Sequence, residues 1–582
     1  MEITMKAYIV LFVLCTVLVS LVHPAEAQSK SPASATAEFD KLVNDYFDFY
    51  FHVNPTQGTE AGFHQYDNQL EDFSSAAVDT EIAGLENYLA KFERLPKSQF
   101  PEFAAGDLEF LCSQIRADLL ELRQIQMWKK DPDNYTAGAS NGIFVLMSRS
   151  FAPPEDRLRS VIAREREIPK VFDAARHNLQ NPPKIYTEIA LQQLPDVVDF
   201  FKRDVPGAFS KVTDAKLLAE FKVSNQAVIE ALLRYENFLQ KDVLPVANGD
   251  FRIGAENYHK KLLYQDMVDI PLDHLLEIGY ADLRKNQQSL TAVAAQIDST
   301  REARAVLSDL QKDHTAPDQL LQGFRDMLGG IRQFIEQKKI ITIPSQVPPI
   351  VEETPPFERA LTTASMDTPG AYESKATEAM FNVTLPDPRW APKKIEEWMQ
   401  GFNRVTMSST AIHEVYPGHY EQFLWAKQVP SKTRKLLYCS SNAEGWAHYT
   451  EQMMLDEGYG NGDLKLRMGQ LSDALLRDAR FVVGIEMHTG KMTLQQGIDF
   501  FIHEGYQTPP MAEAEAKRGT SDPTYLVYTL GKLQILKLRD DYKKQKGDAF
   551  NLREFHDRFM LQGGVPLKII RKAMLANDSP TL

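Results

Sequence analysis

His413 and Glu414 stand side by side in the stretch Thr410-Ala411-Ile412-His413-Glu414-Val415-Tyr416-Pro417-Gly418-His419-Tyr420-Glu421. A second acidic run follows in Asn442-Ala443-Glu444-Gly445-Trp446-Ala447-His448-Tyr449-Thr450-Glu451. Two imidazoles and a carboxylate can fill three positions of a tetrahedral Zn²⁺ and leave the fourth for water, while a carboxylate beside the first imidazole can take that water's proton. That is the equipment of a hydrolase. In the familiar zinc helix the two His stand four apart and share a face. Here they stand six apart, which an unbroken helix would put on different faces. Pro417 lacks an N–H and crowds the preceding turn, and Gly418 tolerates unusual dihedrals, so the pair predicts a break. If the break absorbs two residues, His413 and His419 can face one ion.

Glu444 and Glu451 are predicted on one helix, two turns apart, with Trp446 as a large buried anchor. Glu444 is the better ligand candidate, because Gly445 beside it is otherwise an unexplained cost in a helix. The competing reading is an exposed acidic face. His448 has the right side chain for the site, but its position also permits a solvated role.

Further along, Pro523 to Lys543 reads as a helix with Tyr525, Tyr528, Lys532 and Ile535 on one face and Leu526, Leu530, Leu533 and Leu536, a packing row, on another. A phenol close to zinc can donate to the oxygen of a tetrahedral intermediate, although buried tyrosines more often satisfy a local hydrogen bond. His556 is a second candidate donor, with a core or capping role as its alternative. Arg518 can pair with a substrate carboxylate through its fork, or simply with Glu515.

These groups need a scaffold to hold them. From Glu38 to about Lys339 the pattern is helical: Phe39, Leu42, Val43, Tyr46, Phe47 and Tyr50 recur at three- and four-residue steps, as do Leu85, Leu89 and Phe92, and Val228, Leu232 and Leu233. From Ile340 to Trp390 prolines are dense and apolar runs short. Ile340–Ile343, Pro349–Val351 and Ala379–Thr384 read as strands of a small antiparallel sheet beside the metal motif. Helices resume near Lys393. The expected fold class is therefore mainly α, a large multi-helix array with that sheet beside a central cleft. The expected organisation is one large domain over 37–582, with a helical half at 37–339, a β insertion at 340–392 and a second helical half at 393–582.

Lys6, an apolar run from Ala7 to about Val22 and Ala25-Glu26-Ala27 have the three-part layout of a secretory signal, so residues 1–27 are expected to be removed and 28–36 to form a flexible leader. An exported, periplasmic or extracellular protein follows, without stable membrane association. The formal charge is −14, with no dense Lys/Arg run, which argues against nucleic acid as a partner. Cys112 and Cys439 are too few for a disulfide framework and can be one bridge or two buried thiols. Oligomeric state is not legible.

The paired patterns H-E-x-x-P-G-H and E-G-W-A-x-Y resemble the bacterial family catalogued as domain-of-unknown-function family 885, which is grouped with the zincin-like metallopeptidases. Leu552–Asp557 and Val565-Pro566-Leu567 also resemble it. The resemblance implies a helical gluzincin arrangement with His413, His419 and Glu444 as zinc ligands and Glu414 as general base, and it lends weight to Tyr528 through the pattern Y-x-x-G. Three positions depart from it. Tyr420 stands where many members have a second His, Gly519 follows E-x-x-R where an aromatic is usual, and Pro523-Thr524-Tyr525 replaces Pro-Gly-Gln, which makes Tyr525 a candidate substrate contact. The expected activity is zinc-dependent hydrolysis of a short peptide or amide. The rivals are an amidase or esterase on a non-peptide substrate, and a catalytically silent binding protein.

Overall fold

The apolar faces named above do bury themselves. In the computed structural model, which describes residues 32–355, 359 and 362–582, Phe39, Val43, Tyr46 and Phe47 lie in the core on the helix Pro32–Val53. Leu85 and Phe92 do the same on Ser75–Glu93, and Val228 and Leu232 on Ala215–Phe238, whereas Leu233 faces outward. The cleavable segment 1–27 and the first residues of the expected leader lie outside the described residues. The first helix begins at Pro32, so the end of the stretch read as leader is helical.

Helices run on to Lys338 and around two large apolar clusters. One gathers Tyr135, Ile143, Leu158, Phe172, Leu194 and Leu232. The other joins Phe324 and Ile331 to the sheet and to the C-terminal helices through Phe381, Met407, Ile412, Trp446 and Phe559. The His-Glu motif, Glu444 and His556 lie on elements around this second cluster, whereas Tyr525 and the helix carrying Arg518 pack in a separate cluster with Ala512, Ala516 and Phe501.

The sheet is mixed, not antiparallel. Its three strands are β1 (Ile350–Glu353), β2 (Ala364–Asp367) and β3 (Met380–Val383), in the order β1-β3-β2. β1 pairs with β3 in parallel (Val351 with Phe381) and β2 pairs with β3 antiparallel (Met366 with Phe381). Side chains alternate across a strand, so Val351, Phe381 and Val383 face the core while Glu352 and Asn382 share the other face. Ile340–Ile343 is not a strand. Ile340 and Ile341 are buried, but the backbone groups of this stretch are taken up by side chains: Thr342 N–H donates to Asp557 Oδ1 at 2.9 Å, and the Ile340 carbonyl accepts from His556 Nδ1 at 2.8 Å. A chain satisfied in this way has no call for a neighbouring strand.

Cys112 and Cys439 are both free and buried, which resolves the open choice in favour of two thiols. Among the described residues no helix is long and apolar enough to cross a membrane.

Candidate metal centre

The helix Arg404–Glu414 starts at Asn403, whose side chain caps Val405 N–H and Thr406 N–H, and stops directly after the His-Glu pair. A second helix, His419–Ala426, opens at the second histidine. Between them the Tyr416–Pro417 peptide is cis. Gly418 runs so close to the first helix that a Cβ there would fall 1.7 Å from the His413 carbonyl oxygen, a position no other residue can take. The predicted break is therefore real, and it turns the two imidazoles toward each other: their ring centroids are 4.8 Å apart and their planes perpendicular. The Pro417 carbonyl accepts from Trp446 Nε1 at 2.7 Å, tying the break to the helix Ser440–Asp456.

That helix brings Glu444. Its Oε2 lies 3.4 Å from His413 Nε2 and 3.4 Å from His419 Nε2, and it is buried with no hydrogen-bond partner. Among the described residues, His413, His419 and Glu444 are the only His, Cys, Asp and Glu group whose ligand atoms gather closely enough for one ion. Bonds of about 2.0–2.1 Å in a tetrahedron put ligand atoms about 3.3 Å apart, and the two observed separations are of that size. The side chains of His419 and Glu444 are 22% and 28% exposed, so solvent reaches the centre from one side.

Gly445 has a different reason from the one read in the sequence. The helix Ser440–Asp456 crosses the helix Val527–Lys546 at a pair of glycines: a Cβ on Gly445 would lie 2.4 Å from Gly531 Cα, and one on Gly531 would lie 1.9 Å from the Ser441 carbonyl oxygen. Close crossing, not ligation, requires Gly445. It also brings Tyr528, one turn before Gly531, to the site, with its ring near-parallel to His413 at 6.4 Å.

Glu451 is the orienting carboxylate. Its Oε1 accepts from His413 Nδ1 at 2.7 Å and pairs with Arg477 Nη2 at 3.0 Å, and its Oε2 accepts from His448 Nδ1 at 3.1 Å. A carboxylate can only accept, so His413 Nδ1 carries a proton and Nε2 is the ring nitrogen turned toward Glu444. Burial opposes charge on His413, yet Glu444 and Glu451 together push it up to about 9. Glu444 itself is held well below the usual carboxylate range: burial works against this, and His419 and His413 outweigh it. The centre therefore favours positive charge. Glu414 is raised by burial, with the nearby histidines acting in the opposite sense. The neighbouring His448 is driven down to about 3, by burial first and then by Lys532, and so stays neutral. Removing the orienting acceptor by Glu451→Gln should weaken zinc binding about 10–100-fold while the chain stays folded, a change that competition with a chromophoric chelator reads directly.

The other candidates separate. Tyr528 belongs to the site; the guanidinium of Arg480 lies 5.0 Å and that of Arg477 5.7 Å from its ring centroid, and burial, then Glu444, raises its phenol. Arg518 reaches to 3.5 Å of the Tyr528 hydroxyl, but it pairs with Asp522 at 3.0 Å; Glu515 is instead taken bidentately by Arg480 at 2.7 Å and 2.7 Å. Tyr525 precedes the helix, is buried and has an unpartnered hydroxyl. A Cβ on Gly519 would lie 2.3 Å from that hydroxyl, so the two departures noted at Gly519 and Tyr525 are one packing solution. His556 is removed from the chemistry. It is fully buried, donates to the Ile340 carbonyl, accepts from Tyr449 at 2.9 Å and packs edge-on to Trp446 at 5.2 Å. Burial drives it down to about 3, which leaves it a neutral brace beneath the Glu444 helix. Arg477 and Arg480 escaped the sequence reading because nothing local marks them on their helix, Leu464–His488.

Residues 55–574 match the family model described as Bacterial protein of unknown function (DUF885), and the chain belongs to that family. Two solved structures share its fold. The first, "a putative lipoprotein of unknown function" from Shewanella oneidensis, is 27% identical with a TM-score of 0.78, covering 94% of this chain and 100% of that one. The second, "the putative lipoprotein" from Colwellia psychrerythraea, is 18% identical with a TM-score of 0.80, covering 93% and 99%. Among curated proteins no match is found.

Proposed function

We propose that this protein is an exported zinc-dependent hydrolase acting on a short peptide or a related amide. One observation carries the reading: the buried, unpartnered Oε2 of Glu444 stands at tetrahedral spacing from two imidazole nitrogens. His413, His419 and Glu444 hold the ion. Bound there, zinc supplies Lewis-acid chemistry, polarising a carbonyl and bringing water's pKa toward neutrality.

The chain's own residues do the rest. Glu414, adjacent to His413 and raised by burial, accepts the proton of the attacking water and hands it to the leaving amine. Tyr528 donates its phenol hydrogen to the carbonyl oxygen as negative charge develops. Arg480 and Arg477, held by Glu515 and Glu451, keep the Tyr528 ring in place and add positive potential on that side. Exported location draws support from the signal-like N-terminus and from the lipoprotein description of the two structural neighbours.

Elemental analysis and thermal melting test the reading. About one zinc per chain is expected, and at a thousandfold excess over Kd the metal should add about 4 kcal/mol of stability. His419→Ala should abolish that gain. Absence of transition metal after gentle purification, with no response to added zinc, would sink the hydrolase and favour a silent binding protein.

A further inference from the structure

The outer face of the sheet covers a second, unrelated cavity. Glu352 and Asn382 project from adjacent parallel strands into a half-enclosed space of about 130 Å³, walled by Phe144, Met147 and Met380 and approached by Asp204. Asn382 is 2% exposed, and its Oδ1 has no hydrogen-bond partner. An amide oxygen hidden from water without a donor is costly unless something that donates occupies the space.

Charge in the cavity is unbalanced. Asp367, also on its rim, is already paired with Arg149 at 2.5 Å. Glu352 and Asp204 form no ion pair among the described residues; burial raises both carboxyls, with Arg203 and Arg359 opposing it at Asp204 and Arg149 opposing it at Glu352. The site therefore wants a cation with hydrogen-bond donors. A bare metal ion does not suit it, because no three carboxylates here gather as the ligands of the metal centre do. The walls are aliphatic, aromatic and thioether.

We propose that this cavity binds a primary alkylammonium group, its methylene stem against Phe144, Met147 and Met380 and its –NH₃⁺ donating to Asn382 Oδ1, Glu352 and Asp204. The same chemistry is offered by a free alkylamine and by a lysine side chain in a peptide.

Calorimetric titration of the full mature chain separates the outcomes, and it reads binding rather than turnover, so it is independent of the zinc hydrolase reading. n-Butylamine is expected to bind saturably, n-butanol not at all, and Glu352→Gln or Asp204→Asn each to weaken the amine about tenfold with unchanged melting temperature. Binding of acetyl-Gly-Lys-Gly-amide as well assigns the pocket to lysyl side chains, and binding of the amine alone assigns it to free amines. Equal binding of butanol, no saturable binding of either probe, or indifference to both substitutions overturns the proposal.

Discussion

Glu414→Gln is expected to bind zinc as tightly as the parent chain and to turn over about 10²–10⁴-fold more slowly. The substitution removes the proton acceptor and little else: Glu414 is not among the three converging ligands, and an amide of the same shape fills its place. Metal content and melting temperature should stay put while kcat falls and KM changes little, because the group acts on the transition state and not on substrate binding. Unimpaired turnover in this variant would refute the base assignment. Loss of zinc along with activity would instead mean that Glu414 supports the ion.

The largest effect on stability is expected at Gly531. Valine there must place its Cβ within 1.9 Å of the Ser441 carbonyl oxygen, and the obstacle is backbone on a buried helix, which cannot swing away. Separating the two helices would also draw Tyr528 away from His413 and loosen the packing around Glu444. A cost of about 3 kcal/mol or more follows, with weakened zinc binding as a second signature. Gly330 on the helix Leu320–Lys338 is the control. A Cβ there meets nothing within 4 Å, so Gly330→Ala should stabilise by about 0.5–1 kcal/mol. Thermal melts of the two variants should move in opposite directions.

The candidate metal centre was legible because its cues are local. His-Glu, Pro-Gly-His and Glu-Gly-Trp each sit within a few residues, and the break at Pro417-Gly418 follows from backbone chemistry that a single chain displays. Glu451 was half legible: two turns from Glu444 put it on the same face, but whether it ligates or orients depends on where the His413 ring lies in space. Arg477 and Arg480 arrive on a helix whose relation to the site is purely tertiary. His556 and Tyr525 show the opposite failure. Both carry reactive-looking side chains, and both are consumed by packing partners distant in sequence, Ile340 and Tyr449 for one and Gly519 for the other. The sheet was misjudged for a related reason. Apolar runs mark burial, and only pairing distinguishes Ile350–Glu353, which finds β3, from Ile340–Ile343, whose backbone is taken up by side chains.

Glu444 and Glu451 ride on one rigid rod, two turns apart, one gripping from the front of His413 and the other from behind. A slide or tilt of that rod cannot disturb the front grip while sparing the rear. On the proposed function, the hold on an ion would therefore be coupled to the hold on His413 from behind, with the Trp446 bond to the Pro417 carbonyl tying the rod to the helix break.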